Sequence, residues 1–297
     1  MSQVIAAFYK FVTLDDHQNR RQPLLNFCHQ YNIKGSILLA AEGINGTIAG
    51  TRSSIDRLLD YLRSDPCFAD LEHKESTATK PPFDRLRVRL KQEIVTLGIP
   101  TVNPSNLVGT YVKPQDWNEL IANPDVLVID TRNQYEVEIG SFARSIDPHT
   151  DSFTEFPAYV ATHLDPHQHK QIAMFCTGGI RCEKATSYLL SQGFEHVYHL
   201  QGGILKYLEE IPAAESQWEG ECFVFDDRVA VTHGLKPGTH QICWGCGNPI
   251  TPADLTSPHY EPGICCHRCH TTITPKQRAS RTERWRQLQL AQSCSAD

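Results

Sequence analysis

Apolar and polar positions along the chain follow two periods, and the switches between them mark out the elements. Residues 4–11 form an apolar, aromatic-rich run that predicts a strand, and residues 15–31 predict a helix. Residues 35–41 and 46–49 predict strands joined at Glu42-Gly43-Ile44-Asn45-Gly46, where Asn-Gly is a strong turn signal. Ser53 or Ser54 caps the next predicted helix, whose Ile55, Leu58, Leu59 and Leu62 fall at i, i+3, i+4, i+7, the stripe of a helix packed on a sheet. Strands near residues 71–75 and 85–90 follow, giving a βαββαβ order, the ferredoxin-like arrangement.

Residues 103–112 carry glycine and proline breaks and few apolar side chains, and predict a linker. A second alternation then begins. Residues 117–121 read as helix, and Val126 to Asp130 as a strand whose unbroken apolar run suits a central parallel position. A strand at 171–175, a helix at 182–192 and a strand at 197–200 extend it. Such an alternation predicts a doubly wound open sheet with ligands at the carboxyl ends of its strands. After about Gln217 apolar residues thin out and cysteines concentrate. The expected fold class is therefore α/β. An α+β ferredoxin-like domain spans residues 1–104, a doubly wound α/β domain 105–217 and a small Cys-rich module 218–297.

A length of 297 residues fits about two domains, or three small ones. With 40% hydrophobic and 21% charged residues the chain reads as soluble and globular. Its first residues, MSQVIAAFYKFV, lack the basic and long apolar regions of a signal peptide, and the longest apolar runs are too short to span a bilayer. The expectation is a cytoplasmic protein with no membrane partner. Eleven cysteines without an export signal then imply reduced thiols, some with metal or catalytic roles. A net charge of −6 argues against nucleic-acid binding over the whole surface but leaves room for a local basic face.

The densest chemistry lies in MFCTGGIRCEKA, residues 174–185. Cys176 ends an apolar strand, Thr177-Gly178-Gly179-Ile180-Arg181 make a short loop, and Cys182 opens a helix. Two glycines let the backbone aim several N–H groups at one point, the helix N-terminus adds its positive dipole end, and Arg181 adds a full charge. All three stabilise an anion, so Cys176 should ionise readily. Cys182, in the first helical turn, has two readings: a second thiol of low pKa, or a partner placed to resolve an oxidised Cys176. On these residues alone, a small buried cysteine beside a tight turn fits as well; the position after a strand favours the reactive reading.

Two further patterns stand out. In KPPFDRLRVRLK, Arg85, Arg87 and Arg89 share one strand face, flanked by Lys80 and Lys91, with Leu86, Val88 and Leu90 toward the core. The row suits phosphate backbones, and equally an ordinary solvated sheet face. A second basic stretch, Lys276 to Arg286 with Trp285 inside it, reads rather as a solvated helix. In the tail, Cys243-x-x-Cys246 and Cys266-x-x-Cys269 are two knuckles spaced for a structural zinc with four thiolates. Cys265 leaves the register open, with His267 and His270 as substitutes. Neither a flavin nor a nucleotide motif appears, since Gly43-x-x-Gly46 lies in a hairpin rather than before a helix.

Residues 128–136, CTGGIRCEKA and residues 199–204 (HLQGGI) resemble successive segments of a rhodanese domain. Cys176 matches its persulfide-forming cysteine and Arg181 the last position of its loop. The resemblance supports a role for Asp130 in positioning the loop, and Arg132 adds positive potential nearby. With residues 41–50 (AEGINGTIAG) and 91–98 (KQEIVTLG), the chain resembles the oxygen-dependent tRNA uridine hydroxylase family over most of residues 1–230. That resemblance implies a ferredoxin-like domain ahead of a rhodanese domain and formation of 5-hydroxyuridine at the wobble position. It also implies molecular oxygen as co-substrate and the tRNA anticodon stem-loop as partner. Cys176 and Arg181 would be catalytic within the loop Thr177, Gly178, Gly179, Ile180 and Cys182. Lys80, Arg85, Arg87, Arg89 and Lys91 would face RNA. The thiolate would add to uridine C6, or carry a peroxy or sulfenate species. A persulfide or thiosulfate sulfurtransferase is the alternative enzyme, and an RNA-binding or zinc-bridged adaptor with an idle loop the alternative outside catalysis.

Overall fold

Alternation in Gln3–Phe11 (β1) sets Val4, Ala6 and Phe8 against the apolar stripes of two helices, His17–Gln30 (α1) and Arg52–Arg63 (α2). This computed structural model describes residues 3–78 and 81–293; Lys80, read as RNA-facing, and Cys294 lie outside them. With Lys34–Ala40 (β2), Gly43–Gly50 (β3), His73–Ala78 (β4) and Leu86–Leu90 (β5), β1 forms one sheet in the order β4-β1-β3-β2-β5. The first four strands have the ferredoxin-like order, and β5 is added parallel to β2 at the edge. Ile55, Leu58, Leu59 and Leu62 of α2 are all buried, as their spacing requires.

Three local expectations need correction. Asn45-Gly46 is not a turn: it lies inside β3, opposite Leu38 and Ile37. Gly46 is there because a Cβ would stand 2.7 Å from the Phe8 ring, while the chain reverses ahead of Gly43, whose φ of +140° only glycine adopts easily. The cap of α2 is Thr51, whose side chain accepts from Ser54 N, rather than Ser53 or Ser54. Leu90, expected toward the core, is 41% exposed because β5 ends beyond the helices it covers.

The second sheet contains Thr110–Val112 (β6), Val126–Asp130 (β7), Gln171–Phe175 (β9) and His196–Leu200 (β10) in the order β6-β10-β9-β7, all parallel. Between β7 and β9 come Gln134–Val137 (α4), Gly140–Phe142 (β8) and Phe156–His163 (α5). Pro114–Ala122 (α3) and Gly203–Glu210 (α7) cover one face, α5 and Ile180–Ser191 (α6) the other. The apolar run of β7 reports burial on both faces, not a central position: β7 is the edge of this sheet, bridged on its outer side only at Ile146. The predicted linker is exposed at residues 105–107 and ends inside β6, while Leu97 and Val102, just ahead of it, are buried against the second core.

The segment after α7 returns to this core. Trp218–Gly220 (β11) pairs with β8, and Trp218, Cys222, Val224 and Val231 join the cluster under α3 and α7. Cys222–Phe223 (β12) and Ala230–Val231 (β13) form a small ribbon there. The part of the tail with its own core therefore starts near Gln241–Ile242 (β14), which pairs with Pro249–Ile250 (β15), and ends in Pro275–Ser293 (α8).

Candidate active site

Cys176 follows β9 directly and is held from three sides. Gly179 caps α6 in the left-handed region, at φ +102°, and its N–H donates to Cys176 Sγ at 3.1 Å. Behind the loop, the N-terminus of α7 receives the loop carbonyls, with Ile204 N donating to Cys176 O (3.0 Å) and Leu205 N to Thr177 O (3.1 Å). Gly203 permits this: a Cβ there would lie 2.5 Å from Cys176 O. Burial alone would push the thiol up. The Cys182 thiol, the Arg181 charge and the N–H groups of Cys182 and Gly179 outweigh it and bring Cys176 down to about 5. Cys182 moves the opposite way, up, through burial and its bond to Cys176, so it stays protonated and donates to the thiolate.

Arg181 does not present a free charge to the cavity. Its guanidinium grips Glu136 bidentately at 2.6 and 2.8 Å, and Nη2 also meets Thr177 Oγ1. Glu136 is completely buried; burial would raise its carboxyl, and Arg181 holds it below the usual range instead. Removing one partner of such a pair costs about 3–5 kcal/mol, so Arg181 positions the loop before it does anything else. Arg132 does not reach the cavity; its charge acts on Glu136 from behind. It is fully buried, bonded to Asp130 at 2.9 and 2.6 Å, and stacked 5.1 Å over Trp218.

The first sheet closes over this loop. Lys74 Nζ donates to Gly178 O at 2.6 Å, and Tyr9 Oη to Glu183 Oε1 at 2.8 Å. Lys184 pairs with Glu42 at 2.9 Å and with Glu93, and donates to Val95 O at 2.9 Å. Three segments that carried the family resemblance, around Glu42, Glu93 and Lys184, thus meet at one joint. Between sheet and loop lies a cavity of about 500 Å³, within the range of small-ligand sites. Cys176 and Thr177 form its floor, Ala7, Ser36 and Thr47 its roof, and Phe225 its rim.

The arginine row continues that roof. Register pairs Lys74 with Ala7, Ala7 with Thr47, Thr47 with Ser36 and Ser36 with Arg87, so all five share a face. Four strand spacings place Arg87 roughly 19 Å from Lys74. Arg89 lies on the same face, opposite Leu38, while Arg85 and Lys91 flank the strand, exposed. Among the described residues none of these four side chains has an ion-pair partner. The basic stretch in α8 differs, because Arg278 pairs with Glu261, Arg281 donates to Ile264 O, Arg284 to Trp244 O and Arg286 to Glu283. Trp285 packs on Gly263. That helix is a clamp on the tail.

In the tail, Sγ atoms of Cys243, Cys246, Cys266 and Cys269 all lie within 4.8 Å of one another. Cys246 and Cys266 are 3.8 Å apart, the edge of a tetrahedron with zinc–sulfur bonds of about 2.3 Å. Cys265 turns away toward His259 O, His267 meets Asp254, and His270 stacks on His259 at 3.9 Å. The residues present fit a four-thiolate zinc.

Lys74, Glu136, Tyr9 and Glu183 had no reading as site residues in sequence. Glu136 and Glu183 lay in segments already singled out, residues 128–136 and 174–185, whereas Tyr9 and Lys74 had no such signal.

A family profile described as UPF0176 acylphosphatase like domain matches residues 3–94, and one described as Rhodanese-like domain matches residues 113–210. A curated relative from Picosynechococcus sp., named tRNA uridine(34) hydroxylase, is 58% identical over 293 residues, covering 99% of this chain and 98% of its own. Among solved structures, the rhodanese-like domain of an Anabaena sp. protein is 19% identical with a TM-score of 0.31, covering 37% of this chain and 78% of its own. A rhodanese-related protein from Thermoplasma volcanium is 26% identical with a TM-score of 0.27, covering 34% and 92%.

Proposed function

Because this chain belongs to the tRNA uridine(34) hydroxylase family, we propose that it hydroxylates the wobble uridine of tRNA to 5-hydroxyuridine in the cavity over Cys176. The observation that carries the reading is the Cys176 thiolate on the floor of a roofed cavity of about 500 Å³. A uracil ring has an electron-poor C6 conjugated to its C4 carbonyl. The thiolate adds there, the sulfur–C6 bond forms, and the displaced π pair moves toward O4, leaving C5 electron-rich. The N–H groups that hold the sulfur anion also hold it as leaving group when the ring is restored. Molecular oxygen is the co-substrate, as the family resemblance implies: one oxygen atom goes to C5 and the other leaves as water, with the two electrons coming from an external reductant. The persulfide sulfurtransferase reading gives way to this one, since the relative matched along its whole length is a hydroxylase.

The anticodon stem-loop enters with uridine 34 extruded, since chemistry on a base at this depth needs it out of its stack. Arg85, Arg87, Arg89 and Lys91 take phosphates on the rim. Replacing Arg87 and Arg89 by alanine should weaken tRNA binding and lower the slope of log affinity against log salt by about 0.7–0.9 per lost contact. Filter binding across a salt series measures it, and an unchanged slope would remove the row from the interface.

The four tail thiolates hold one zinc ion, which is structural because four protein ligands leave no open position. No helix among the described residues is long and apolar enough to cross a membrane, and we place the enzyme in the cytoplasm with its tRNA. Nucleoside mass spectrometry of tRNA from cells lacking this chain tests the function. Complementation with it should restore 5-hydroxyuridine at position 34, and no difference on deletion, in a strain without a redundant route, would overturn the reading.

A further inference from the structure

We propose that Lys74, delivered by the first sheet, is a second charge-stabilising residue of the Cys176 site beside Arg181: its ammonium faces the thiolate and the negative charge that moves onto the base. This rests on the function proposed above for its second half only. The geometry comes first. Lys74 lies on β4, 104 positions from Gly178 in sequence, yet its Nζ donates to Gly178 O at 2.6 Å and lines the same cavity as Cys176. The residue is half-buried, and its ammonium is held on the loop by that bond.

Cations in such places normally take a carboxylate. Lys184, at the same joint, has Glu42 and Glu93. Arg181 has Glu136, and Arg228, also on the cavity wall, has Asp226. For Lys74 no carboxylate oxygen among the described residues lies within salt-bridge distance. The charged and titratable groups that face it are Cys176 from the end of β9, Glu183 from α6, Lys206 from α7 and Glu72 ahead of β4. Of these the thiolate is the strongest favourable influence, and burial is the strongest opposing one, bringing Lys74 down to about 8. The loop therefore has helical N–H groups from its own domain and a lysine ammonium from the other. Docking of the first sheet completes the site, which is why a cysteine loop of rhodanese type sits here under a roof.

The sign of the pH dependence follows. Cys176 is an anion above about 5, and Lys74 is a cation below about 8, so the competent pair exists between them. The test uses the full chain with two independent readouts. The first is peptide-resolved alkylation of Cys176 by iodoacetamide across pH, without RNA. The second is the pH profile of tRNA hydroxylation. Lys74→Met should raise the alkylation midpoint of Cys176 by about one pH unit and lower hydroxylation ~10²-fold. Lys74→Arg should keep the wild-type midpoint and remove the alkaline fall in hydroxylation, because arginine stays charged. A wild-type midpoint in Lys74→Met overturns the proposal. If that variant fails to fold, persistence of the alkaline fall in Lys74→Arg overturns it instead. Absence of hydroxylation by the wild-type chain would defeat the functional reading, while the alkylation shift would still decide the role of Lys74.

Discussion

Cys176→Ala should leave tRNA without detectable 5-hydroxyuridine, a loss of at least about a thousandfold, while the chain stays folded. The size of the effect follows from what surrounds the sulfur. The N–H groups of Gly179 and Cys182 and the thiol of Cys182 all converge on one atom, and they have nothing to stabilise once it is gone. The fold survives because its supports do not run through that atom. The loop is held by backbone bonds from Ile204 and Leu205 and by the Arg181–Glu136 pair. Cys176→Ser is the sharper variant. It keeps the size and the hydrogen bonds, but a serine hydroxyl does not ionise at neutral pH, so the nucleophile is lost while the shape is kept. Nucleoside mass spectrometry on complemented cells reads both. Full hydroxylation by Cys176→Ser would falsify the assignment of the thiolate as nucleophile.

Removal of the zinc proposed for the tail is expected to unfold the region from β14 to α8 and leave the two sheets standing. The apolar core of that region is built from Ile250 and the cysteines themselves, with Leu255, Tyr260, Ile264 and Ile273 only partly buried around them. Such a core cannot offset the chain entropy of its own ordering. Zinc held by four thiolates contributes about 10–16 kcal/mol to comparable small modules. Elemental analysis should find one zinc per chain, and chelation or Cys266→Ser should expose α8 to protease and separate Trp244 from Trp285, whose rings now lie 6.5 Å apart. The ion pair from Arg268 to Glu138 joins this module to the helix end beside Glu136, so activity should fall along with it. A metal-free chain that resists protease as well as the native one would overturn the zinc site.

Elements whose determinants lie a few residues apart were legible in the sequence. The stripe of α2, the strand–loop–helix at Cys176 and the two knuckles are of this kind, because a 3.6-residue period, a glycine pair or a C-x₂-C spacing acts through local backbone geometry. The misplaced turn at Asn45-Gly46 shows the limit. The dipeptide permits a turn, but Gly46 was needed to admit the Phe8 ring from β1, a demand set 38 positions away. Arg181 shows it again. Its type and place suggested a charge near the anion, and only the fold brings Glu136 from 45 positions upstream to pin it there.

The sequence by itself determined the cysteine loop, its cradle of N–H groups, the two C-x₂-C knuckles and the basic strand. Tertiary structure alone decided what those parts do together. It laid the open face of the first sheet over the loop, joined Lys184 to Glu42 and Glu93, continued the roof into the arginine row, and carried Lys74 to Gly178 across 104 positions of chain. Local patterns encode which bonds a backbone can make with itself. Which charges face each other across a cavity depends on how two separately folded sheets dock, and no short stretch of either sheet contains that information.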